Sequence, residues 1–351
     1  MTPALKTRKP TGTVPWPLIL VEGEEGAGKS YAAALFSASP RVGATYWIDL
    51  AEGSADEYAA IEGANYEVID HDGTYRDVLE QVQAVHAEAR RAAANAEPPV
   101  VLVIDSASAL WRMLTNWTQD RARRTKRNLA VLAQDPDAAV DISMNLWNDA
   151  VERWQAVVYL LQTMPGIAVV LARGKQVSVV DDNGSPVSGR KEWKVSAHKD
   201  LAFDATVWVR LKRDEDPQVV KARSLRLRID PRRGLRLPDF SIDHLVFDLL
   251  GCSSASAARV MTALAGDRIG PWLQRIEQAA DVDALRDLWA QTHPDTSGLD
   301  RDEAAAVQAA INRRKEALDN PATGEFDPGA PSDADKLRAA AERHTANTEA
   351  A

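Results

Sequence analysis

Cysteine is almost absent: the 351-residue chain has one, Cys252. A single thiol excludes an intramolecular disulfide and a cysteine-rich zinc site. No apolar run approaches the roughly 18 residues that read as a membrane helix. The opening MTPALKTRKPTGTVPWP also lacks the apolar core of a secretory signal. A cytoplasmic protein with no membrane partner is therefore expected. Uniform positive charge is missing too, because a formal net charge of −9 does not describe a basic coat for DNA. No internal repeat stands out. What remains is ordinary globular composition, 45% hydrophobic and 26% charged, in a chain long enough for a full α/β core and an appendage.

The distribution of charge says more than the sum. Pro186–Arg236 carries fourteen Lys/Arg against seven Asp/Glu, whereas Leu237–Ala351 carries eleven against twenty. A basic segment followed by an acidic tail suits a nucleic-acid-binding core with an acidic extension, and equally a solvated charged hairpin.

One stretch carries the chemistry. LILVEGEEGAGKSYAAALF, Leu18–Phe36, is an apolar run, a glycine-studded break and an alanine-rich helical pattern. The break, Gly23-Glu24-Glu25-Gly26-Ala27-Gly28-Lys29-Ser30, fits G-x-x-x-x-G-K-[ST] in its strand–turn–helix setting. Glycines let the backbone take positive φ and approach a ligand closely. Amides of the loop and of the first helical turn, including Tyr31, then face an anion, and the helix dipole favours negative charge there. Lys29 would reach the β- and γ-phosphates of a nucleotide, and the Ser30 hydroxyl would ligate Mg²⁺.

Further strands are predicted in GATYWIDLAEG, NYEVIDHD, PPVVLVIDSASALW, GIAVVLARGK, DATVWVRLKRD and SLRLRID. A helix is predicted over about Tyr75–Ala94, and a helical stretch over Thr115–Met164, broken near AQDPDAA. Alternating strands and helices imply βαβ units and a mostly parallel, doubly wound sheet. Asp-Asn-Gly within QVSVVDDNGSPVSGRKEWKV reads as a hairpin turn. Beyond Gly251 two or three short helices are expected, with Asp281 and Asp300 as caps. Ile276, Leu285, Leu288, Trp289, Val307 and Ile311 are the candidates for their apolar face. The expected organisation is a flexible leader (1–16), a nucleotide-binding core (17–251), a small helical domain (268–318) and a largely disordered tail (319–351).

A phosphate loop needs a metal-holding carboxylate on a neighbouring strand. VVLVIDS ends an apolar run in Asp105, at the sheet edge where α/β ligands bind, with Ser106 beside it. Two acids, Asp49 and Glu52, follow the second strand as candidates to activate water.

At these residues the chain resembles the RecA family of recombinase ATPases. TYWIDLAEGSADEY is similar to that family's strand ending in a water-activating Glu, with one residue inserted. VVLVIDSASAL is similar to its metal-binding strand, and HKDLAFDATVWVRLKRD to a later strand. The resemblance spans roughly Pro17–Gly251. More narrowly, the chain resembles the phage-encoded, reduced RecA-type ATPases that act in single-strand annealing, which would place it in a host cytoplasm. The resemblance implies an α/β, RecA-like P-loop NTPase core with a small C-terminal helical appendage, and ATP with Mg²⁺ as cofactors. It implies Glu52 as general base, while the insertion leaves Asp49 open. Arg173 stands where the family keeps a polar sensor of the γ-phosphate.

The segment after Arg173 corresponds to the family's mobile DNA loop and holds Lys175, Arg190, Lys191, Trp193, Lys194 and Lys199. Cations for a phosphate backbone and an aromatic face for bases are what a single-strand binder needs. Arg121, Arg123, Arg124, Lys126 and Arg127 lie where its other DNA loop would begin. The family places nucleotide between subunits, so a homo-oligomer, ring or filament, is implied. Arg228, Arg232 and Arg233 are the candidates for a cation acting on a neighbour's nucleotide. The function implied is a DNA-stimulated ATPase for recombination or annealing on single-stranded DNA. Two alternatives stand beside it: a hexameric helicase or loader, and a nucleotide-gated interaction protein whose C-terminal region binds a replication or recombination partner.

Overall fold

The computed structural model describes residues 7–180, 186–230, 232–261, 270–292, 297, 299 and 301–319. β1 (Leu18–Gly23) is buried throughout, as its unbroken apolar run requires: a strand covered on both faces gains nothing from alternating polarity. Leu18 and Leu20 enter one apolar layer, Ile19 and Val21 the other. After it come α1 (Lys29–Ser37), β2 (Thr45–Asp49), α2 (Ala55–Tyr58), β3 (Glu67–Val68), α3 (Tyr75–Ala94) and β4 (Val101–Asp105). Three helices, α4 (Ala107–Arg123), α5 (Lys126–Leu132) and α6 (Met144–Thr163), precede β5 (Ile167–Val180) and β6 (Pro186–Val195). The first compact unit continues through α7 (Leu201–Asp204), β7 (Val207–Leu211), β8 (Gln218–Ala222), β9 (Leu235–Arg236) and a π-helical turn, α8 (His244–Leu249).

The strand order is β3-β2-β4-β5-β1-β7-β8-β9. From β3 to β7 every neighbouring pair is parallel, and β8 and β9 add an antiparallel edge. This is the α/β, mostly parallel arrangement that the sequence implies, with its carboxyl strand ends along one edge. β5 runs past that edge, and its outer half pairs with β6 from Gly174↔Val195 onward. The Asp-Asn-Gly turn between them lies outside the described residues.

β3, expected as a short strand, is two exposed residues at the sheet's edge. Other elements differ from expectation. SLRLRID is not a strand: the Ser224 hydroxyl accepts the amides of Arg226 and Leu227 and ties that segment into a turn. QVVKA pairs with β7 instead, as β8. The long helical stretch breaks first at Arg124, because Thr125 caps a new helix by accepting the Asn128 amide.

Tyr75, the first residue of α3, donates its hydroxyl to the carbonyl of Arg153, well inside α6. The first turns of α6 thus overhang the start of α3, beyond the carboxyl edge of the sheet. Arg121 and Arg124 of α4 line one cavity of about 370 Å³ with Ser143 and Asn145 at the start of α6. The end of α4 therefore projects from the same edge as the β5–β6 arm.

The division into two compact units falls between Met261 and Thr262. Before it, Trp16 is buried and its amide bonds the Ala257 carbonyl. The second unit contains α9 (Gly270–Glu277), α10 (Val282–Ala290) and α11 (Arg301–Asp319). Ile276, Leu285, Leu288, Val307 and Ile311 form its core. Trp289, expected on that face, is 41% exposed. Asp281 caps α10 by accepting the Ala284 amide at 2.8 Å, a bond of the kind worth about 1 kcal/mol; Asp300 lies outside the described residues. Among the described residues no helix is long and apolar enough to cross a membrane.

Candidate functional site

The glycines of the first loop serve two needs. Gly23 ends β1 where an added Cβ would lie 2.1 Å from the Leu211 carbonyl oxygen of β7; only glycine lets the two strands close there. Gly26 and Gly28 hold φ near +67° and +86° in open space, the left-handed conformation that other residues resist. Gly28 is the N-cap of α1, and no side chain caps that helix. The amides of Lys29, Ser30 and Tyr31 consequently have no acceptor within the helix and present an anion cradle. Two glutamates beside such a cradle need accounting for. Glu24 turns its carboxylate toward Arg213, 3.6 Å away, and Glu25 is exposed to water. Tyr31 borders the loop with its ring edge-on to Tyr58, centroids 6.2 Å apart.

Lys29 Nζ donates to the carbonyls of Gly23 and Glu24 at 3.1 and 2.6 Å. Burial lowers its pKa, opposed by the charges of Asp105, Glu52 and Glu22. Along β4, Val101 and Val103 face the α1 layer and Leu102 and Ile104 the other. Two-residue alternation then sends Asp105 toward α1. There the Ser30 hydroxyl donates to Asp105 Oδ2 at 2.8 Å, and the Asp105–Ser106 peptide bond is cis.

Asp105 is 3% exposed. Burial pushes its carboxyl up to about 6, and Glu52 and Asp49 add to that rise, against the Ser30 hydrogen bond and Lys29. No ion pair is made by Asp105 among the described residues, although Lys29 acts on it from a distance. Among the described residues no cluster of three or more His, Cys, Asp or Glu would hold a metal unaided. Mg²⁺ does not need one, since it keeps waters and takes one or two protein oxygens beside substrate phosphates. Ser30 and Asp105 fit that donor set. A metal competes with the proton for Asp105, so affinity for Mg²⁺-nucleotide should rise as pH rises through 6 and level off above about 7. Titration calorimetry from pH 5 to 8 checks this; a flat profile in the parent would remove Asp105 from the metal site.

The two candidate acids behave differently. Asp49 Oδ1 accepts the amides of Glu52 and Gly53 at 2.8 and 3.1 Å, so Asp49 holds the turn. Ala51 sits within it at φ 62°, a left-handed position costing roughly 1–2 kcal/mol, which those two bonds help to maintain. Glu52 is aimed at the site instead. Its Oε1 accepts from Ser106 Oγ at 2.7 Å, and Arg173 grips both its oxygens at 3.0 and 2.8 Å. The Arg173 amide in turn donates to Ser108 Oγ. Lys29, Ser30, Glu52, Asp105 and Arg173 are thereby brought together.

The candidate DNA-contacting residues split into groups. On the β5–β6 arm, Lys175 pairs with Lys194 and Gln176 with Trp193. Opposed residues share a face, and successive ones alternate. Lys175 and Lys194 accordingly share one face while Trp193 occupies the other, which separates cations that the sequence reading placed with the ring. Lys175, Arg190, Lys191, Lys194 and Lys199 are exposed, and Lys194 pairs with Glu192 at 2.8 Å. Arg123, Arg124 and Arg127 are exposed at the α4–α5 end, with Arg127 bonded to Asp141. Arg228, Arg232 and Arg233 lie exposed between β8 and β9, with β7 and β8 between them and β1 in the sheet. No hydrogen bond or ion pair joins them to Lys29 or Asp105 among the described residues.

Glu22 escaped the sequence reading. It is fully buried at the end of β1, where its Oε2 accepts from Trp208 Nε1 at 3.1 Å and Arg210 Nε at 2.9 Å. A charge closing an otherwise apolar strand was the available signal.

A family profile described as "AAA domain" matches residues 17–219. No curated protein matches the chain. Among solved structures, one titled "Crystal structure of the RadB recombinase" is similar at 12% identity and a TM-score of 0.34, over 64% of this chain and 86% of that one. At that distance nothing of the other protein's activity carries over.

Proposed function

The chain belongs to the AAA domain family, and on that premise we propose that it hydrolyses Mg²⁺-ATP and uses the cycle to act on single-stranded DNA in recombination or annealing. One observation carries the reading: the Ser30 hydroxyl meets Asp105 at 2.8 Å, joining phosphate loop to metal-holding acid across β1, β5 and β4. Bound Mg²⁺ would neutralise charge on the transferring phosphate, held by Ser30 and Asp105. Amides at the start of α1 and Lys29 grip the phosphates and orient them. Glu52 accepts a proton from the attacking water, once Arg173 has left it for the γ-phosphate. In the present arrangement the Arg173 pair occupies the Glu52 oxygens, which holds the carboxylate on Arg173 until substrate arrives.

The DNA part rests on charge and placement. Two clusters of exposed cations, on the β5–β6 arm and at the α4–α5 end, project from the same edge as the nucleotide site. A homo-oligomer with nucleotide at its subunit boundary, reached by Arg228, Arg232 or Arg233 of the next copy, belongs to the same proposal. The test is ATP turnover with and without single-stranded DNA, with Lys29→Ala as blank. Turnover that DNA leaves unchanged would retain the ATPase and discard the DNA role.

Binding to an oligonucleotide should weaken with salt, each neutralised phosphate contributing about 0.7 to the log–log slope. Replacing Lys175 and Lys194 by Ala together should reduce that slope by about 1.4. Fluorescence anisotropy over a salt series measures it, and an unaltered slope would take that face of the arm out of the interface.

A further inference from the structure

Glu22 joins three elements at one point. It precedes Gly23 in β1, which lies between β5 and β7 with Glu22 beside Ala172 and Arg210, and Gly23 beside Arg173 and Leu211. Leu18, Leu20 and Trp208 show that this face belongs to the α3–α4–α6 layer, so Glu22 puts a charge at the end of an apolar row. Its Oε2 takes both available donors, from Trp208 and Arg210. Its buried Oε1 has no hydrogen-bond partner among the described residues. That orphan oxygen lies 2.0 Å from where a Cβ on Gly174 would be, and the Trp193 ring lies 3.2 Å from the same point. Gly174 and Trp193 are the root of the β5–β6 arm. Arg210 completes the contact: its guanidinium carbon is 5.0 Å from the Trp208 ring centroid and 6.0 Å from that of Trp193, and Lys212 Nζ is 5.7 Å from the latter.

A buried carboxylate with one oxygen taking two donors and the other none from the described residues is an under-determined pair, costly in its present form and relieved by a small rearrangement. The phosphate loop supplies the occasion. Lys29 holds the carbonyls of Gly23 and Glu24, the two residues after Glu22. A bound triphosphate draws that ammonium away and so alters the restraint on the end of β1. We propose that Glu22, Arg210 and Trp193 form a latch through which nucleotide at the phosphate loop sets the position of the β5–β6 arm. Glu22 and Arg210 are positioning residues in this device, and Trp193 is the contact surface of the arm rather than a free platform for bases. The inference rests on the ATPase reading but not on the identity of whatever the arm touches.

Limited tryptic cleavage tests it, because Lys175, Arg190, Lys191 and Lys194 offer exposed sites on the arm. Cleavage there is followed with and without Mg²⁺ and adenylyl imidodiphosphate, whose binding is measured separately. In the parent the analogue should change the arm's cleavage rate about fivefold or more, the lower range of a measurable coupling. Trp193→Ala should bind the analogue as the parent does yet lose that dependence, and Trp193→Phe, which keeps a ring against Arg210, should restore it. Glu22→Gln should behave like Trp193→Ala. An arm indifferent to bound analogue in the parent, or equally responsive in Trp193→Ala, overturns the latch while leaving the ATPase reading standing. Failure of the parent to bind the analogue at all overturns both, and the binding curve shows which has occurred.

Discussion

Glu52→Gln should lower ATP turnover by about 10²-fold or more, the usual contribution of a general base, while leaving nucleotide binding close to that of the parent. Glutamine keeps the side chain's length and one acceptor oxygen, so Ser106 can still donate to it. It cannot accept a proton from water at neutral pH. The Arg173 contact weakens because a charged, bidentate acceptor has become a neutral one. Asp49→Asn provides the contrast. Asp49 uses a single oxygen to accept the amides of Glu52 and Gly53, and asparagine retains such an oxygen, so a loss under about tenfold is expected. Single-turnover measurement, with binding followed independently, separates the chemical step from affinity. A larger loss in Asp49→Asn than in Glu52→Gln would exchange the two assignments.

The sequence left the choice between these acids open because the inserted residue shifts spacing, and spacing does not reveal which carboxylate turns back on its own backbone. That depends on Ala51 taking a left-handed conformation, which no propensity for alanine suggests. The phosphate loop was legible for the opposite reason. Each of its fixed positions answers a local requirement: close strand approach at Gly23, positive φ at Gly28, a charge at Lys29 and a hydroxyl at Ser30. β1 and β4 were readable from their unbroken apolar runs, and α3 from its amphipathic pattern.

The arm illustrates the limit. Counting cations around Trp193 could not show that Lys175 shares a face with Lys194 and not with Trp193, since that follows from the register between β5 and β6. Glu22 was missed because its partners lie 186 and 188 positions along the chain. A charge in an apolar strand reads as an irregularity until β7 is known to lie beside it.

Lys29→Ala should abolish measurable turnover, a fall of about 10³-fold or more, without unfolding the protein. Alanine removes the cation that would meet the β- and γ-phosphates, where negative charge is most concentrated as the bond to the leaving group breaks. A preorganised donor at such a point is worth about 3–4 kcal/mol on the transition state by itself, and here it also contributes to binding the ground state. The fold should lose little. Among the described residues Lys29 bonds only the carbonyls of Gly23 and Glu24, and Gly26 and Glu25 leave that loop open to solvent. The ammonium is itself disfavoured by burial, so its removal relieves a desolvation cost while giving up two hydrogen bonds. The melting temperature should therefore stay within a few degrees of the parent's, a shift of about 1 kcal/mol at most. Lys29→Arg should not rescue activity, because a planar guanidinium differs from a compact ammonium in shape and reach. Turnover and thermal melts on the same preparations decide the matter. Full activity in Lys29→Ala, with the melt unchanged, would mean that the glycine loop does not hold the reacting phosphates.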